Sequence, residues 1–337
     1  MNVLVTGGAG YIGSHACKEL KRSGHVPVVV DNLIYGHEWA VQWGPFYKLD
    51  IRETNSLVAI LEKEKIEAVM HFAAFAYVGE SVKEPLKYYD NNYGGTLSLL
   101  SAMKKSKVRK IVFSSTCATY GEPKVFPISE DTTQAPINPY GRSKLMVEQT
   151  LKDLAQVNEI EAIALRYFNA AGADSELEIG EDHNPETHVI PLAIEAAFQK
   201  NKSFTIYGDD YSTPDGTCIR DYIHVSDLAT AHVLALKNLT SSTKSTGMMK
   251  AYNIGTGTGY SVQQIVRELE KITHKKIVVK KGSRRDGDPA QLLADPSRIR
   301  KELMWEPKHS SLKNILETAA HWYEKHTLSN KSPRADK

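Results

Sequence analysis

A tyrosine and a lysine four positions apart, Tyr140 and Lys144, are the residues of this chain whose types and spacing most directly suggest chemistry. Residues four apart share one face of a helix, so the phenol and the ammonium would lie side by side. A neighbouring cation favours the phenolate and lowers the phenol pKa from its ordinary value near ~10. The pair therefore predicts a general base for a substrate hydroxyl group.

The same spacing occurs a second time, at Tyr120 and Lys124. Gly121 and Pro123 lie within this second pair and favour a turn over a helix. The stretch after Tyr140, in contrast, contains good helix formers and apolar residues at helical spacing. We therefore expect the base at Tyr140 and not at Tyr120.

A glycine-rich turn near the start of the chain predicts a nucleotide site. A β-branched run at 2–6 precedes Gly7, Gly10 and Gly13, and a helical pattern and a second apolar run at 26–30 follow. Strand, glycine turn, helix and strand form the βαβ unit of dinucleotide-binding proteins, in which the helix N-terminus faces a pyrophosphate. Asp31 ends the second strand, where a carboxylate accepts hydrogen bonds from a ribose diol and repels a 2′-phosphate. We therefore expect NAD in preference to NADP.

Apolar strands separated by helical patterns predict the fold class. Further strands are expected at 68–72, 110–114 and 162–166. Such an alternation indicates an α/β fold with a Rossmann-type doubly wound parallel sheet. Ligands bind beyond the carboxyl ends of the strands in such sheets, and Thr116 lies just past one of them.

The chain is expected to divide into two domains, because polar loops become frequent after about residue 170. We assign 1–170 to an NAD-binding domain, with a strand near 251–254 returning to its sheet, 171–325 to a smaller α/β substrate-binding domain and 326–337 to a polar tail. In the second region Arg220, and Arg284 with Arg285 ahead of Asp288, are candidates to bind a diphosphate.

Composition excludes several classes of partner. The 42 basic and 40 acidic side chains give a net charge of +2, which offers no general attraction to nucleic acid or to a membrane surface. The 3 cysteines are widely spaced and support neither a disulfide framework nor a zinc site, so no metal is expected. No stretch approaches the roughly 20 apolar residues of a membrane span. The first strand begins directly after Met1 and leaves no room for a signal segment, so we expect a cytoplasmic protein.

Taken together, the glycine turn, Asp31, Thr116, Tyr140 and Lys144 resemble the extended short-chain dehydrogenase/reductase family, and more closely the UDP-glucose 4-epimerases within it. The resemblance runs from Leu4 to about Trp322. It includes the runs at 30–33, 71–74, 79–81, 88–92, 166–169, 215–217 and 220–224.

The resemblance implies interconversion of UDP-glucose and UDP-galactose through a transient 4-keto sugar. Tyr140 would take the proton of the sugar 4-hydroxyl, Thr116 would hydrogen-bond the same oxygen, and Lys144 would hold the nicotinamide ribose and the phenolate. NAD would remain bound through turnover. Two helices, at about 92–105 and 140–156, would pair across a two-fold axis into a homodimer through Leu97, Leu100, Met103, Met146 and Leu151.

The resemblance also implies two sets of binding residues. The NAD site would comprise Gly7, Gly10, Tyr11, Ile12, Gly13, Asp31, Asn32, Asp50, Ile51, Phe72, Ala73, Asn91, Lys144 and Phe168. The UDP-sugar site would comprise Thr116, Tyr140, Asn169, Val189, Thr205, Tyr207, Arg220, Arg285, Asp288 and Leu292.

Three positions depart from the best-known galactose epimerases: Thr116 replaces a serine, Ala76 a lysine that reaches the cofactor, and Leu292 a tyrosine that often walls the sugar pocket. Two stretches, 73–81 and 115–123, resemble a branch that includes plant epimerases of pentoses, so a UDP-xylose/UDP-arabinose 4-epimerase is the alternative.

Two other functions on this fold are less compatible with the residues present. Nucleotide-sugar dehydratases and decarboxylases resemble this chain but carry acidic residues where it has Cys117 and Ala118. A non-catalytic NAD-binding regulator would be expected to have lost Thr116, Tyr140 or Lys144, and all three are present.

Overall fold

The structure is a computed structural model that describes residues 1–241, 247–284 and 289–328. Its strands are β1 (Asn2–Thr6), β2 (Val26–Asp31), β3 (Phe46–Lys48), β4 (Ala68–His71), β5 (Lys110–Thr116), β6 (Glu161–Tyr167), β7 (Asn169–Ala171), β8 (Phe204–Tyr207), β9 (Ile219–His224), β10 (Met248–Ile254), β11 (Gly259–Ser261), β12 (Val279–Gly282) and β13 (Gln291–Leu292). Its α-helices are α1 (Tyr11–Arg22), α2 (Thr54–Lys63), α3 (Val78–Lys83), α4 (Pro85–Tyr88), α5 (Gly95–Lys105), α6 (Pro139–Gln156), α7 (Val189–Phe198), α8 (Val225–Ser241), α9 (Val262–Thr273), α10 (Ser297–Leu303) and α11 (Leu312–Trp322).

Seven parallel strands form the main sheet, in the order β10-β6-β5-β4-β1-β2-β3. The predicted Rossmann-type doubly wound sheet is therefore confirmed. The chain adds β2 and β3 on one side of β1 and then crosses to add β4, β5 and β6 on the other. The strand order thus reverses between β1 and β4, and a crevice for a ligand opens at the carboxyl ends of these strands.

The sheet is covered on both faces, which explains its continuous apolar strands. Val3, Leu4 and Val5 of β1 are all fully buried. Side chains of α1 and α8 pack in the apolar cluster on one face, and side chains of α2, α5 and α6 pack in the cluster on the other. These two layers fix the strand ends at which the candidate site lies.

Two segments that come late in the chain belong to this sheet or to the helices that cover it. The edge strand β10 pairs with β6 from Met248 opposite Glu161 to Ile254 opposite Tyr167, and it contains the strand predicted near 251–254. Helix α8 packs in the same apolar cluster as β1 and α1. Because α8 lies within the predicted 171–325 domain, a single boundary at residue 170 does not follow the packing.

The remaining elements form a smaller layer beside the carboxyl edge of the main sheet. Strand β9 pairs with β7, β11 and β13, and β8 pairs with β12. Helices α7, α9 and α11 enclose an apolar cluster with β8 and β9. The apolar core of this smaller layer is separate from the two clusters that cover the main sheet.

Helices α5 and α6 lie on the outside of the main sheet, but fewer of their apolar residues face outward than the sequence suggested. Leu100, Met103 and Leu151 are 7%, 1% and 0% exposed and pack in the protein's own core. The prediction that these three side chains form a surface for a second copy is therefore wrong. Leu97, at 38% exposure, and the half-buried Met146 remain on the outer face. None of the described helices is long and apolar enough to cross a membrane.

Candidate active site

The glycine turn between β1 and α1 has a geometry that other residues would not tolerate. Gly7 has φ +72°, and a Cβ atom on it would lie 2.6 Å from the backbone nitrogen of Ala73. A Cβ atom on Gly13 would lie 2.1 Å from the carbonyl oxygen of Gly7. The backbone therefore passes close to β4 and turns directly into α1, whose first-turn N–H groups point toward the crevice. This turn fits the pyrophosphate of a dinucleotide.

Asp31 stands at the carboxyl end of β2, beside the glycine turn. Its carboxylate accepts hydrogen bonds from the backbone nitrogen of Ala9 at 3.1 Å and from that of Leu33 at 2.8 Å. Burial raises the pKa of this carboxyl group, and the two backbone hydrogen bonds oppose the rise. A carboxylate fixed here fits the ribose of NAD, as predicted from the sequence.

The other residues predicted to hold NAD are placed around the same crevice. The Asn32 side chain donates to Asp50 at 3.2 Å, and Ile51 is buried against α5. The Tyr11 hydroxyl donates to the carbonyl of Gly172 at 2.6 Å, which joins α1 to the segment after β7. The remaining members are Ile12 in α1, Phe72 and Ala73 after β4, Asn91 in the short helix Tyr89–Gly94 before α5, and Phe168 after β6.

Tyr140 lies in the first turn of α6, and the sequence explains why the helix begins there. The side chain of Asn138 caps the helix by accepting from the backbone nitrogen of Gly141 at 2.8 Å, and Pro139 occupies the first helical position. This start places the Tyr140 ring beside the end of β5, with its hydroxyl close enough to the Thr116 side chain for that side chain to lower the phenol pKa. Thr116 also accepts from the backbone nitrogen of Ala118 at 3.1 Å.

The electrostatics of the Tyr140 and Lys144 pair differ from the sequence prediction. Burial raises the pKa of the Tyr140 phenol well above its ordinary value, and the Thr116 hydrogen bond opposes this rise. Lys144 does not offset the burial, because its ammonium donates to the carbonyl of Ser114 at 2.8 Å and lies 4.9 Å from the centre of the Phe113 ring. The Lys144 ammonium therefore lies on the expected face of α6, but its hydrogen bond goes to the backbone of β5.

Lys144 is itself perturbed by the site. Burial lowers the pKa of its ammonium from 10.5 to about 7, and the charge of Glu148 on the next helical turn opposes that shift. A lysine that titrates near neutral pH can exchange a proton or act as a neutral hydrogen-bonding group. Its partner, the Ser114 carbonyl, could not be found from the sequence, because any residue has a backbone oxygen.

The two residues after Thr116 do not provide acid or base chemistry. Burial raises the pKa of the Cys117 thiol to about 12, although the nearby charge of Arg220 opposes the rise. Ala118 has no ionisable group. The site therefore offers a hydroxyl, a phenol and an amine, and it lacks the acidic residues of the dehydratases and decarboxylases.

Arg220 and Leu292 are neighbours on paired strands at the other side of the site. Leu292 of β13 stands opposite Arg220 of β9 in parallel register. Leu292 and Cys117 both pack against the cluster formed by Tyr120, Ile128, Phe168 and Ala294. The structure therefore places Leu292 against the same apolar cluster as Cys117, the residue after Thr116, although 176 positions separate Leu292 from Thr116 in the chain.

The remaining predicted substrate residues lie on the smaller layer. Asn169 begins β7 and donates to the carbonyl of Asp221 at 3.0 Å. Val189 begins α7, and Thr205 and Tyr207 belong to β8. Arg285 and Asp288 lie outside the described residues.

The sequence analysis missed a buried ionic network beneath the site. Arg166 of β6 bonds Glu148 of α6 at 2.6 Å, and Arg166 also donates to the Tyr120 hydroxyl at 2.9 Å. That hydroxyl donates to Asn253 of β10 at 2.7 Å. Glu148 is four residues beyond Lys144, and this spacing was the signal that could have drawn attention to it.

The chain is similar in sequence and structure to known epimerases. The NAD dependent epimerase/dehydratase family matches residues 3–255. A UDP-glucose 4-epimerase of Rhizobium meliloti (strain 1021) is 50% identical over 324 residues, covering 96% of this chain and 97% of the relative. A UDP-glucose 4-epimerase of Lactobacillus helveticus is 50% identical over 327 residues, with 97% and 98% covered. The solved UDP-glucose 4-epimerase of Brucella ovis in complex with NAD is 51% identical, covers 95% of this chain and 98% of its own, and superposes with a TM-score of 0.91.

Proposed function

This chain belongs to the NAD dependent epimerase/dehydratase family, and we propose that it is an isomerase that interconverts UDP-glucose and UDP-galactose with NAD as its cofactor. The observation that carries this proposal is the Tyr140 phenol beside the Thr116 side chain at the carboxyl edge of the same sheet that presents the glycine turn and Asp31. A proton acceptor and a dinucleotide site then share one crevice.

The reaction inverts C4 of the sugar through a 4-keto intermediate. NAD, when bound, supplies a positively charged ring that accepts a hydride and returns it. Tyr140 takes the proton of the 4-hydroxyl as C4 is oxidised, and it returns a proton to the oxygen when C4 is reduced on its other face. Thr116 donates a hydrogen bond to the phenolate of Tyr140 and so opposes the effect of burial on the phenol pKa.

Other residues bind and orient the cofactor and the substrate. Gly7, Gly13 and Asp31 would hold the dinucleotide, and Lys144, whose ammonium donates to the Ser114 carbonyl, would hold the nicotinamide ribose. Arg220 binds the diphosphate of the substrate. Because the ring must present both faces in turn, the nucleotide is held firmly by charge, and the sugar is held loosely by apolar side chains such as Leu292.

The chain forms a homodimer through the outer faces of α5 and α6. Tyr89, Arg142, Leu145, Met146 and Gln149 line a shallow cavity of about 400 Å³ on this surface, and exposed Leu97 lies on the neighbouring helix. An isologous pair would bury these apolar groups on both copies. Light scattering on purified protein should give the mass of a dimer, and a monomer at every concentration would contradict this assignment.

The enzyme acts in the cytoplasm on a small molecule and needs neither a nucleic acid nor a membrane. Its free cysteines, Cys17, Cys117 and Cys218, suit a reducing compartment. Fractionation of cells that express the native chain would test the location.

One assay tests the function. Purified protein is incubated with UDP-galactose, UDP-xylose and UDP-N-acetylgalactosamine without added cofactor, and the epimers are separated. UDP-galactose should give UDP-glucose at the highest or equal-highest rate, and the protein should release close to one NAD or NADH per chain when it is denatured. A product that has lost water or carbon dioxide, or activity that requires added NADPH, would contradict the proposal.

A further inference from the structure

Four side chains of the segment that leads into α7 converge on one point. Glu181, His183, Glu186 and His188 each present one nitrogen or oxygen atom, and these atoms all lie within 4.8 Å of one another. The Nδ1 atoms of His183 and His188 lie 3.1 Å and 2.8 Å from the same Glu181 oxygen. His188 Nδ1 is also 2.9 Å from Glu186 Oε1.

These separations scatter around those of a tetrahedral metal site. Zinc binds imidazole nitrogen and carboxylate oxygen at about 2.0–2.2 Å, which puts neighbouring ligand atoms roughly 3.4 Å apart. The observed separations fall on both sides of that value. Those given above are shorter, and His183 Nδ1 is 3.9 Å from Glu186 Oε2. Side-chain shifts of up to about an ångström would bring all four atoms to that spacing.

The charges and chemical types of the four groups also suit a divalent transition metal. Burial lowers the pKa of His188, but the charges and hydrogen bonds of Glu181 and Glu186 raise it further, to about 10, so a metal ion must displace the His188 proton. Two carboxylates and two neutral imidazoles then carry a charge of −2 in total, which one divalent cation neutralises. The Glu181 side chain is only 9% exposed, so its charge needs a partner within the protein, which protonated histidines supply without a metal and a bound cation would supply in their place. Imidazole nitrogens favour zinc and similar metals over magnesium and calcium, which prefer oxygen ligands.

A buried tyrosine provides an independent indication of a missing ligand. Tyr77 is 91% buried, and its hydroxyl has no hydrogen-bond partner among the residues that the structure describes. Its ring packs edge-on against His183 at 6.2 Å, and its hydroxyl lies within the field of Glu186 and Glu181. A buried hydroxyl without a partner is costly, and a water molecule on a bound ion would accept its hydrogen bond.

We propose that Glu181, His183, Glu186 and His188 bind one divalent transition-metal ion of the zinc class. The ion would fix the segment before α7 and thereby position Val189, which begins that helix. The absence of suitable cysteine spacing argued against a zinc site in the sequence, but this cluster contains no cysteine. The proposal does not depend on the epimerase reaction.

A second cluster in the same region serves as a matched control. Asp174, Glu176 and Glu178 also bring their carboxylates together, but the Lys18 ammonium already lies among them, 2.7 Å from Asp174 and 2.6 Å from Glu178. That cluster has no imidazole and has its own cation. It should not bind zinc.

The test is metal content after equilibrium dialysis. Full-length protein is treated with EDTA, dialysed against buffered Zn²⁺, and analysed by mass spectrometry of the metal. We expect about one Zn²⁺ per chain in the wild type and in the Glu176→Gln/Glu178→Gln variant, and at least a tenfold loss in occupancy in the His183→Gln/His188→Gln variant. A wild type that retains no Zn²⁺, or a histidine variant that retains as much as the wild type, overturns the proposal.

A spectroscopic measurement on the wild type does not depend on whether the variant folds. Co²⁺ added to the EDTA-treated protein should give the visible absorption of a four- or five-coordinate ion with nitrogen and oxygen ligands. Absence of a visible spectrum, or the near-ultraviolet charge-transfer band of a Co²⁺–thiolate bond, would assign the binding elsewhere and refute the site.

Discussion

The two tyrosine–lysine pairs of this chain share a spacing but not a structure. Tyr140 and Lys144 lie in the first turns of α6, with the phenol against Thr116 and the ammonium against the Ser114 carbonyl. Tyr120 ends a 3₁₀ turn, and Gly121 follows it with φ +68°, so exposed Lys124 shares no helical face with it. The spacing alone thus describes a possible pair, and the local backbone decides whether the two groups serve one site.

The two phenols also differ in their partners. The Tyr120 hydroxyl makes two hydrogen bonds, since it accepts one from Arg166 and donates one to Asn253. The Tyr140 hydroxyl lies near another hydroxyl, that of Thr116, which lowers the pKa of the phenol. A phenol fixed between a guanidinium and an amide stabilises the fold, whereas a phenol beside a hydroxyl at a ligand crevice can exchange its proton with a substrate.

Replacement of the two phenols should separate these roles most strongly in activity. Tyr140→Phe keeps the ring and removes the ionisable oxygen, so turnover should fall by roughly 10²-fold or more while NAD stays bound. Tyr120→Phe should keep activity within a few-fold of wild type at a temperature where it is folded. Steady-state rates with UDP-galactose measure both, and equal losses in the two variants would remove the distinction.

The same two variants should differ in the opposite sense in stability. Tyr120→Phe leaves the buried Arg166 and Asn253 groups each without one partner, so the free energy of unfolding should fall by about 1–3 kcal/mol. Tyr140→Phe removes a single hydroxyl contact and should change it by less. Urea unfolding of wild type and both variants measures this difference, and a Tyr120→Phe protein as stable as wild type would contradict the role of the network.

A change at Leu292 tests the contact between the Tyr120 region and the sugar pocket, because Leu292 packs, like Cys117, against the cluster that contains Tyr120. A tyrosine at this position adds a ring to the sugar side of the pocket. Leu292→Tyr should lower kcat/KM for UDP-N-acetylgalactosamine by roughly 1–3 kcal/mol more than that for UDP-galactose. An unchanged ratio, or a wild type with no N-acetylhexosamine activity, would show that Leu292 does not select the sugar.

The two lysines should differ in how they couple folding to pH. The folded-state pKa of Lys144 is about 7 and its unfolded value is 10.5, so between these pH values the unfolded chain binds the extra proton. Stability from this group therefore rises with pH across that window, by up to about 1.4 kcal/mol per pH unit. The unfolding free energy of wild type minus that of Lys144→Met should increase from pH 7.5 to 9.5.

The matched variant for this comparison is Lys124→Met, which removes an exposed lysine. The difference in unfolding free energy between wild type and this variant should stay constant over the same pH range. A flat difference for Lys144→Met as well would show that its ammonium is not buried as described.

The features that the sequence predicted correctly are those set by local rules. The glycine turn requires backbone conformations and close approaches available only to glycine, and Asn138 with Pro139 specifies where α6 begins. Both signals are contained within a few neighbouring residues. With the apolar strand pattern they were sufficient to predict the sheet and the helix that carries Tyr140, and the NAD site at the glycine turn stays a prediction.

The features that it did not predict depend on tertiary contacts. Whether Lys144 lies against Tyr140 or against Ser114 depends on how α6 packs on β5. The pairing of Leu292 with Arg220 joins strands far apart in the chain, and the apolar pattern of α5 and α6 does not tell which side faces the core. Periodicity identifies a helix but not its neighbours, which is why Leu100, Met103 and Leu151 were assigned to the wrong surface.

The measurement that tests the central claim most directly follows the hydrogen on C4. UDP-galactose carrying deuterium at C4 is incubated in ordinary water with purified protein and no added cofactor, and the UDP-glucose formed is analysed by mass spectrometry and NMR. If C4 is oxidised and reduced within one closed site, the deuterium should be found at C4 of the product. Loss of the deuterium to solvent would contradict the hydride mechanism and, with it, the role assigned to Tyr140.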